Sequence, residues 1–256
     1  MAMNFKAKKN ALSKIFVEDF SRTLSVLEQD QRSKMVILCS LVPRVFCAGA
    51  DLRERAAVPD DQVPALVGGL RSLFQRIYNL PFPTIAAIDG AALGGGLEMA
   101  LACDVRFAGC LSHCQLGLIE THWALLPGAG GSQRLPRIIG ESKAKELMFA
   151  ARRLTAVEAE KFGVVNGAVD PSEVPDEWRE SPALFHSFKY AKELCSKGPI
   201  ALRELKRAVN EGLSVGSLEK GLEIEGQCYR RLVPTKDRKE GMKAFMEKRL
   251  PVYHGH

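Results

Sequence analysis

The amino-acid sequence predicts an α/β protein that ends in a helical region. Two patterns indicate this fold class. Over residues 1–181, stretches with apolar residues at helical spacing alternate with short, β-branched apolar runs, whereas from Pro182 onward the spacing is helical. Such alternation is typical of sheets covered by helices. We therefore expect an α/β core over residues 1–181 and a helical region over residues 182–256.

The first elements follow one another without long loops. Apolar residues recur at helical spacing over residues 12–27, and the apolar run at 35–39 is typical of a buried strand. A second helical stripe covers residues 63–77, is stopped by two prolines, and precedes the β-branched run at 84–88. The predicted order is therefore helix, strand, helix, strand.

The later elements are predicted from shorter signals. They are a helix over 97–103 and a strand over 105–108, followed by further alternation of helical and strand-like stretches through 164–169. The predicted C-terminal helices cover 186–197, 200–211 and 218–232. Thr155 and Glu158 form a capping box that begins a short helix, which Gly163 can end. We expect residues 170–181, which contain two prolines, to form a hinge between core and tail.

The composition excludes several classes of protein. No apolar run approaches the roughly 18 residues that a membrane-spanning helix needs. Thirty-six Lys and Arg against 30 Asp and Glu give a charge of +6 without a long basic run, which favours anionic ligands only weakly. The N-terminal residues lack the apolar segment of a secretory signal, and the odd number of cysteines predicts reduced thiols in the cytosol or the mitochondrial matrix.

Two segments rich in small residues are candidates for ligand contact. The segment 46–52 follows a strand, and its small residues let the backbone approach a ligand, although a plain surface turn explains them equally well. Gly94, Gly95 and Gly96 precede a helix, whose first N–H groups are unpaired and suit an oxygen on which negative charge develops. Neither this segment nor residues 128–133 has a nucleotide-binding pattern, so dinucleotide binding is not expected.

Two glutamates stand in apolar surroundings. Glu98 is the only charged residue of its helical run, and Glu120 follows another apolar run beside a glycine cluster. A carboxylate in such surroundings has a raised pKa unless it is paired or reaches solvent at the edge of the helix. Two such groups can divide acid and base work on one water molecule, and they are therefore candidate catalytic residues.

Two further patterns suggest chemistry that their context does not favour. Residues 212–216 match the nucleophile elbow GxSxG of hydrolases, but that elbow needs a preceding strand where this sequence predicts a helix. Cys110, His113, Cys114 and His122 suggest a metal cluster, yet they lack a second pair at zinc spacing. We expect structural roles for all of them and no metal site.

Three segments together resemble the enoyl-CoA hydratase/isomerase (crotonase) family. They are FCAGADL at 46–52, ALGGGLE at 92–98, and GLIET at 117–121 followed by LPGAGGSQRLPR at 126–137. The tail PTKDRKEGMKAFMEKR at 234–249 is similar to family members too, so the resemblance covers almost the whole chain. It implies a crotonase-like spiral of ββα units with a C-terminal helical trimerisation region.

The resemblance also implies the roles of particular residues. It implies that Ala50 and Gly95 supply the amides of an oxyanion hole and that Glu98 and Glu120 are the catalytic glutamates. Glu98 then acts on the oxygen of the attacking water and Glu120 on the proton that reaches the α-carbon. The segment that holds the coenzyme A moiety contains Ala48, Asp51, Leu52 and Arg53.

The resemblance implies an enzyme that adds water to a short or branched 2-enoyl-CoA such as 3-methylglutaconyl-CoA. Coenzyme A is then part of the substrate, and no separate cofactor or metal is expected. We further expect a homotrimer or a hexamer in the mitochondrial matrix, with the cytoplasm as the alternative. The alternatives for function are an isomerase of the same family, or binding of AU-rich RNA. One family member that binds such RNA has a lysine-rich helix at the position that Arg53–Pro59 occupies in this sequence.

Two departures from the family pattern give further expectations. The segment MNFKAKKNALS resembles the end of the first hairpin of the family, so we expect its initial strand or strands to be missing and the sheet edge to be exposed. His122 and Trp123 stand where small or lysine residues are usual after the second glutamate. We expect them to reshape the acyl pocket.

Overall fold

A computed structural model describes all residues from Met1 to His256. The strands are β1 (Ala2–Met3), β2 (Val36–Ser40), β3 (Val45–Cys47), β4 (Thr84–Ile88), β5 (Ala91–Leu93), β6 (Val105–Gly109), β7 (Leu116–Gly117) and β8 (Gly167–Val169). The α-helices are α1 (Lys14–Gln29), α2 (Leu52–Ala56), α3 (Val63–Asn79), α4 (Gly95–Leu101), α5 (Gly131–Ile139), α6 (Glu141–Phe149), α7 (Ala156–Phe162), α8 (Pro182–Cys195), α9 (Pro199–Ser214), α10 (Leu218–Leu232) and α11 (Lys236–Met246). Short 3-10 helices lie at Lys6–Lys8, Asp60–Gln62, Glu120–Trp123, Pro171–Glu173 and Asp176–Trp178.

The strands form two parallel sheets that are built by repetition. The larger sheet has the order β1-β2-β4-β6-β8, and the smaller has the order β3-β5-β7. In each of three successive repeats, the first strand (β2, β4 or β6) enters the larger sheet and the second (β3, β5 or β7) enters the smaller one. Helices follow every second strand, so the chain winds through ββα units. The α/β fold class and its spiral are confirmed.

The strands of the larger sheet are those that the sequence predicts best. All five residues of β4 are buried, which explains why Thr84–Ile88 is a continuous apolar run rather than an alternating one. The strands of the smaller sheet have two or three residues each, which is too short for a periodic signal. The sequence therefore predicts β2, β4 and β6 of the larger sheet and misses the smaller sheet.

The N-terminal edge differs from expectation. Ala2 and Met3 form a parallel strand that pairs with Cys39 and Ser40, so β2 is covered on that side. The edge is instead the two-residue strand β1, and a strand this short presents few unpaired backbone groups to another chain.

Two compact units divide the chain. The first comprises residues 1–30, 36–80 and 84–188, and the second comprises residues 31–35, 81–83 and 189–256. The first unit thus extends beyond residue 181, because the backbone N–H groups of Ala183 and Leu184 donate to the Asp89 carboxylate at 2.8 and 3.0 Å. Residues 170–181 lie inside this unit.

Capping residues set several helix ends as expected. Thr155 and Glu158 form the predicted capping box of α7, and Gly163 ends that helix with φ +85°. Helix α8 begins at Pro182, four residues earlier than its apolar spacing predicts, because proline is pre-organised for the first position of a helix. None of the helices combines the length and apolar character that crossing a membrane requires.

The second unit consists mainly of helices. Helices α9 and α10 form a hairpin in which Gly212 and Gly221 allow close approach of the two backbones. The predicted bounds of α10 are confirmed. Helix α11, which the sequence analysis missed, is fastened to the C-terminus because the Asp237 carboxylate accepts from the N–H groups of His254 and Gly255 at 2.8 Å each.

Candidate active site

The candidate site is a cavity of about 80 Å³ at one edge of the smaller sheet. Its lining comes largely from the three segments that directly follow β3, β5 and β7. Because the strands are parallel and adjacent, their carboxyl ends meet at the same edge. The topology therefore brings together three segments that are distant in sequence.

Two backbone amides in this cavity are free to donate. The N–H groups of Ala50 and Gly95 take part in none of the chain's hydrogen bonds. Gly95 is the first residue of α4, where an N–H has no partner within the helix. A Cβ added at Gly95 would lie 3.8 Å from the Ala50 nitrogen, so the two amides are neighbours. The pair can bind one oxygen on which negative charge develops.

Glycines allow the loop after β3 to lie against the start of α4. Gly49 has φ +86°, and a Cβ there would lie 2.6 Å from the Leu93 carbonyl oxygen. A Cβ at Gly96 would collide with the carbonyl group of Cys47. Any larger residue at these positions would push the two amides apart, which explains the small residues in both segments.

The N-terminal segment supports the same loop, a role that the sequence analysis missed. Asn10 is fully buried, and its side-chain amide donates to the Phe46 carbonyl oxygen at 3.0 Å. The Leu12 N–H donates to the Gly49 carbonyl oxygen at 2.8 Å, and the Ala48 N–H donates to Lys9. These bonds fix the backbone that carries the Ala50 amide.

Glu98 lies in the first turn of α4 with 4% of its surface exposed. Its Oε1 accepts hydrogen bonds from the N–H groups of Ala129 at 2.9 Å and Gly131 at 2.7 Å. Burial raises the pKa of Glu98, while these two amides and the Arg134 guanidinium act in the opposite direction. The glycine cluster after Pro127 thus serves as a hydrogen-bond donor to a carboxylate rather than as a phosphate loop.

Glu120 begins the 3-10 helix that follows β7. Its Oε2 is buried and has no hydrogen-bond partner within the chain. Burial, together with the negative charge of Glu98, raises the pKa of Glu120 to about 7. At neutral pH this carboxyl group is therefore divided between its protonated and ionised forms, which suits a group that gives or takes a proton.

The structure brings most of the predicted site residues together. Six of them line the one cavity: Ala48, Ala50, Leu52, Gly95, Glu98 and Glu120. Asp51 and Arg53 do not line it. The Asp51 carboxylate caps α2 by accepting from the N–H groups of Arg53 and Glu54, and it pairs with Lys8 at 2.8 Å. The Arg53 side chain is exposed.

The cavity also contains residues that the sequence analysis did not assign to it. Arg55 follows Leu52 by three positions on α2, a spacing that puts both on one face of the helix. Val67 and Leu70 of α3 and the exposed Trp123 contribute apolar surface. The helical spacing from Leu52 was a signal that could have identified Arg55.

Cys114 and Ser214, which belong to the two patterns that their sequence context does not favour, make contacts of a structural kind. The chain has no group of three or more His, Cys, Asp or Glu residues that could hold a metal ion. The Cys114 thiol donates to the Ile88 carbonyl oxygen at 3.3 Å. Ser214 ends helix α9 rather than following a strand, and its hydroxyl donates to the Glu211 carbonyl oxygen.

Comparison with known proteins shows which family the chain belongs to. Residues 1–256 match the family model of enoyl-CoA hydratase/isomerase. The chain belongs to this family. It is 46% identical over 255 residues to the human mitochondrial methylglutaconyl-CoA hydratase, covering 100% of this chain and 73% of that protein. It is 47% identical over 254 residues to the human mitochondrial enoyl-CoA hydratase domain-containing protein 2, covering 99% of this chain and 84% of that protein.

A solved structure supports the same assignment. The crystal structure of an enoyl-CoA hydratase from Bacillus anthracis superimposes with a TM-score of 0.90 at 42% identity, over 100% of this chain and 94% of that one. The chain is therefore an enzyme with the crotonase fold.

Proposed function

We propose that this enzyme adds water across the 2,3-double bond of a short or branched 2-enoyl-CoA. The observation that carries the proposal is the cavity itself, in which two free amides and two buried carboxyl groups surround one small space. This is the set of groups that hydration of an unsaturated thioester requires: donors for the enolate oxygen, and an acid and a base for one water molecule.

The amides of Ala50 and Gly95 bind the thioester oxygen. Negative charge develops on this oxygen when water attacks the β-carbon, and amides that are already aimed at it need no reorganisation. Removing one such donor typically costs about 3 kcal/mol of transition-state stabilisation. The glycines around both amides maintain their separation.

The two glutamates divide the proton transfers. Glu98, with its two amide hydrogen bonds, is the group better suited to remain a carboxylate and to accept a proton from the attacking water. Glu120, with a pKa raised to about 7 and an unpartnered Oε2, is the group that gives a proton to the α-carbon. Return of the proton from Glu98 to Glu120 through water completes the cycle.

Hydration is favoured over the two alternatives. An isomerase of the family needs a glutamate only at the position of Glu120. The second glutamate in this cavity, Glu98, therefore favours hydration. AU-rich RNA would need a positive surface at α2, but the Lys8 ammonium already pairs there with Asp51 at 2.8 Å and Glu54 at 2.6 Å. With Arg53 and Arg55, three cations there face the two carboxylates, and this excess of a single charge attracts the phosphates of RNA only weakly.

The substrate, the assembly and the location are parts of the same proposal. A 3-methylglutaconyl-CoA substrate is supported by the names of the human and rodent relatives, and coenzyme A belongs to the substrate. A homotrimer, or a hexamer of two trimers, is supported by the exposed apolar residues of α9, α10 and α11. The mitochondrial names of these relatives support the matrix, and the Bacillus neighbour keeps the cytoplasm as the alternative.

A panel of enoyl-CoA thioesters tests the proposal. The purified protein should remove the ultraviolet absorbance of the conjugated thioester for crotonyl-CoA, 3-methylcrotonyl-CoA or 3-methylglutaconyl-CoA. Glu98→Gln and Glu120→Gln should each lower kcat by roughly 100-fold or more with the fold retained, because each removes an acid–base group. A wild-type protein that hydrates no member of the panel would refute the proposal.

A further inference from the structure

The glycine cluster that donates to Glu98 has further contacts through its carbonyl groups. The Gly128 carbonyl oxygen accepts two hydrogen bonds from the Arg71 guanidinium, at 3.1 and 3.0 Å. The Ala129 carbonyl oxygen accepts one from Arg134 at 3.1 Å. Both arginines thus donate to backbone oxygens of the cluster rather than to a carboxylate. A guanidinium is most often paired with an anion, so two of them on neighbouring carbonyl groups need an explanation.

One peptide unit connects Arg71 to Glu98. The Gly128 carbonyl group and the Ala129 N–H group belong to the same planar trans peptide, so they point in opposite directions. The carbonyl oxygen accepts from Arg71, while the N–H donates to Oε1 of Glu98 at 2.9 Å. A cation on the carbonyl side polarises the peptide and strengthens the hydrogen bond on the N–H side. Arg71 therefore acts on Glu98 through this peptide.

Arg134 holds the next peptide and acts on Glu98 through its charge as well. Gly130 has φ +116°, and a Cβ there would collide with the guanidinium, so this glycine lets Arg134 reach the cluster. The same guanidinium donates to Gln75 at 3.0 Å, which fixes its position. Burial raises the pKa of Glu98, and the positive charges of Arg134 and Arg55 oppose this rise.

From these contacts we infer that Arg71 and Arg134 are positioning residues for Glu98. They hold the carbonyl groups of the glycine cluster, so that its N–H groups stay aimed at the carboxylate and keep it ionised. The inference rests on the proposed function, in which Glu98 must be a carboxylate to accept a proton from water. It assigns a role to two residues that do not themselves line the cavity.

The charges around Glu98 determine how this role should appear in a pH profile. They belong to Glu120 after β7, Arg55 on α2 and Arg134 on α5, and α4 itself has no other charged residue. Glu98 must be ionised and therefore sets the acid limb of kcat/KM, whereas Glu120 must be protonated and sets the basic limb. The charges that act on Glu120 are those of Glu98 and Arg55. Loss of Arg134 should therefore move the acid limb alone.

The pH dependence of kcat/KM for crotonyl-CoA tests the inference. Arg134→Gln should move the acid limb to higher pH and so lower kcat/KM at pH 5 by roughly 5-fold or more beyond any loss at pH 7. Arg71→Gln should act in the same direction but less, since it removes only the polarisation of one peptide. Arg134→Lys keeps the charge and should stay close to wild type. The control is Arg137→Gln, because the exposed Arg137 donates to Gln133 of its own helix, and it should move neither limb.

Two further features make the test independent of folding and of turnover. The position of a limb, unlike its height, does not depend on how much active enzyme a preparation contains. Because Arg71 is exposed, Arg71→Gln provides the test should Arg134→Gln fail to fold. Infrared difference spectra between acidic and neutral pH follow the carboxyl band of Glu98, which Glu98→Gln identifies by its loss. The midpoint of this band should also move to higher pH in Arg134→Gln.

The outcomes separate this inference from the proposed function. Lower activity with the acid limb and the infrared midpoint at their wild-type pH would overturn the inference, because Arg71 and Arg134 would then support only the fold. An equal movement of both limbs would overturn it too, since the effect would not be particular to Glu98. A wild type that hydrates no enoyl-CoA, with an infrared midpoint that still moves in Arg134→Gln, would refute the proposed function alone.

Discussion

At the scale of the residue, Glu98 and Glu120, the two proposed catalytic groups, differ in their hydrogen bonds. Oε1 of Glu98 accepts from two backbone amides, whereas Oε2 of Glu120 is buried without a partner. Backbone donors stabilise the ionised form of a carboxyl group, and burial without donors stabilises the neutral form. Burial raises the pKa of both side chains, and two backbone amides oppose this shift at Glu98.

This difference predicts how stability depends on pH. The ordinary glutamate pKa of 4.5 is raised to about 7 at Glu120, so the folded protein keeps a proton there that the unfolded chain loses between these pH values. The contribution of Glu120 to the free energy of unfolding should therefore fall as pH rises from about 4.5 to about 7. The Glu120→Gln variant has no charge to bury, so its free energy of unfolding at pH 8 should exceed that of wild type by on the order of 2 kcal/mol. At pH 4.5 the two free energies should be nearly equal.

Urea unfolding at the two pH values measures this effect. Glu141 provides a control with the opposite expected effect, because its hydrogen bond and ion pair with Lys145 lower the pKa of its carboxyl group. Glu141→Gln should therefore lose stability at pH 8 relative to wild type, and lose less at pH 4.5. An equal gain for Glu120→Gln at both pH values would contradict the account of Glu120.

The sequence predicts the members of the site better than their arrangement. Glu98 and Glu120 are conspicuous because each is a charge within an apolar run, a property that sequence alone reveals. Their common cavity depends on the parallel order of β3, β5 and β7, which are too short to predict. Arg55 is inconspicuous in sequence because its neighbours on α2 are charged too, although its spacing from Leu52 indicates the face of α2 that lines the cavity.

At the scale of the element, the loop after β3 and the start of α4 pack closely against each other. The loop needs a left-handed residue at Gly49, and the Leu93 carbonyl group leaves no space for a side chain there. The sequence shows that glycine is present at 49, but a surface turn would contain glycine as well. Only the contact across the two elements distinguishes the two explanations.

Gly49→Ala should damage both stability and catalysis. The new Cβ would lie 2.6 Å from the Leu93 oxygen in a backbone conformation that alanine avoids, so we expect a loss of about 1–3 kcal/mol in unfolding free energy. The shifted loop should also move the Ala50 amide and lower kcat roughly 10-fold or more. Thermal unfolding and steady-state kinetics with crotonyl-CoA measure the two effects.

Gly69→Ala is the matched control for this substitution. Gly69 lies in α3, is exposed, and has no atom within 4 Å of an added Cβ. Alanine there should raise the free energy of unfolding by about 0.5–1 kcal/mol through its helix propensity and leave kcat unchanged. If Gly49→Ala behaved like Gly69→Ala, the steric account of the loop after β3 would be wrong.

At the scale of the whole molecule, the helices of the second unit present unusually apolar surfaces. Leu213 and Leu218 are 81% and 80% exposed, and Leu205, Leu222 and Tyr229 are also exposed along α9 and α10. Contiguous apolar surface of this kind is typical of an interface between protein chains. The sequence predicts these helices well, but a helical apolar stripe does not reveal whether its partner belongs to the same chain.

Light scattering on the purified protein tests the proposed assembly. The wild type should have three or six times the 28.1 kDa mass of one chain. Leu213→Glu combined with Leu218→Glu should reduce the mass, because carboxylates at the centre of an apolar interface are costly to bury. Val26→Glu, a change of similar exposure on α1, is the control and should leave the mass unaltered. A wild-type mass of one chain would contradict the proposal.

The central claim is that Glu98 and Glu120 together add one water molecule across an enoyl thioester. Its most direct test is the reaction of crotonyl-CoA in ¹⁸O-labelled water, followed by mass spectrometry of the product. The account predicts that the wild type forms 3-hydroxybutyryl-CoA with one ¹⁸O at the β-carbon, and that Glu98→Gln and Glu120→Gln each slow its formation by roughly 100-fold or more. Undiminished labelling in either variant, or conversion of substrate without ¹⁸O uptake, would contradict it.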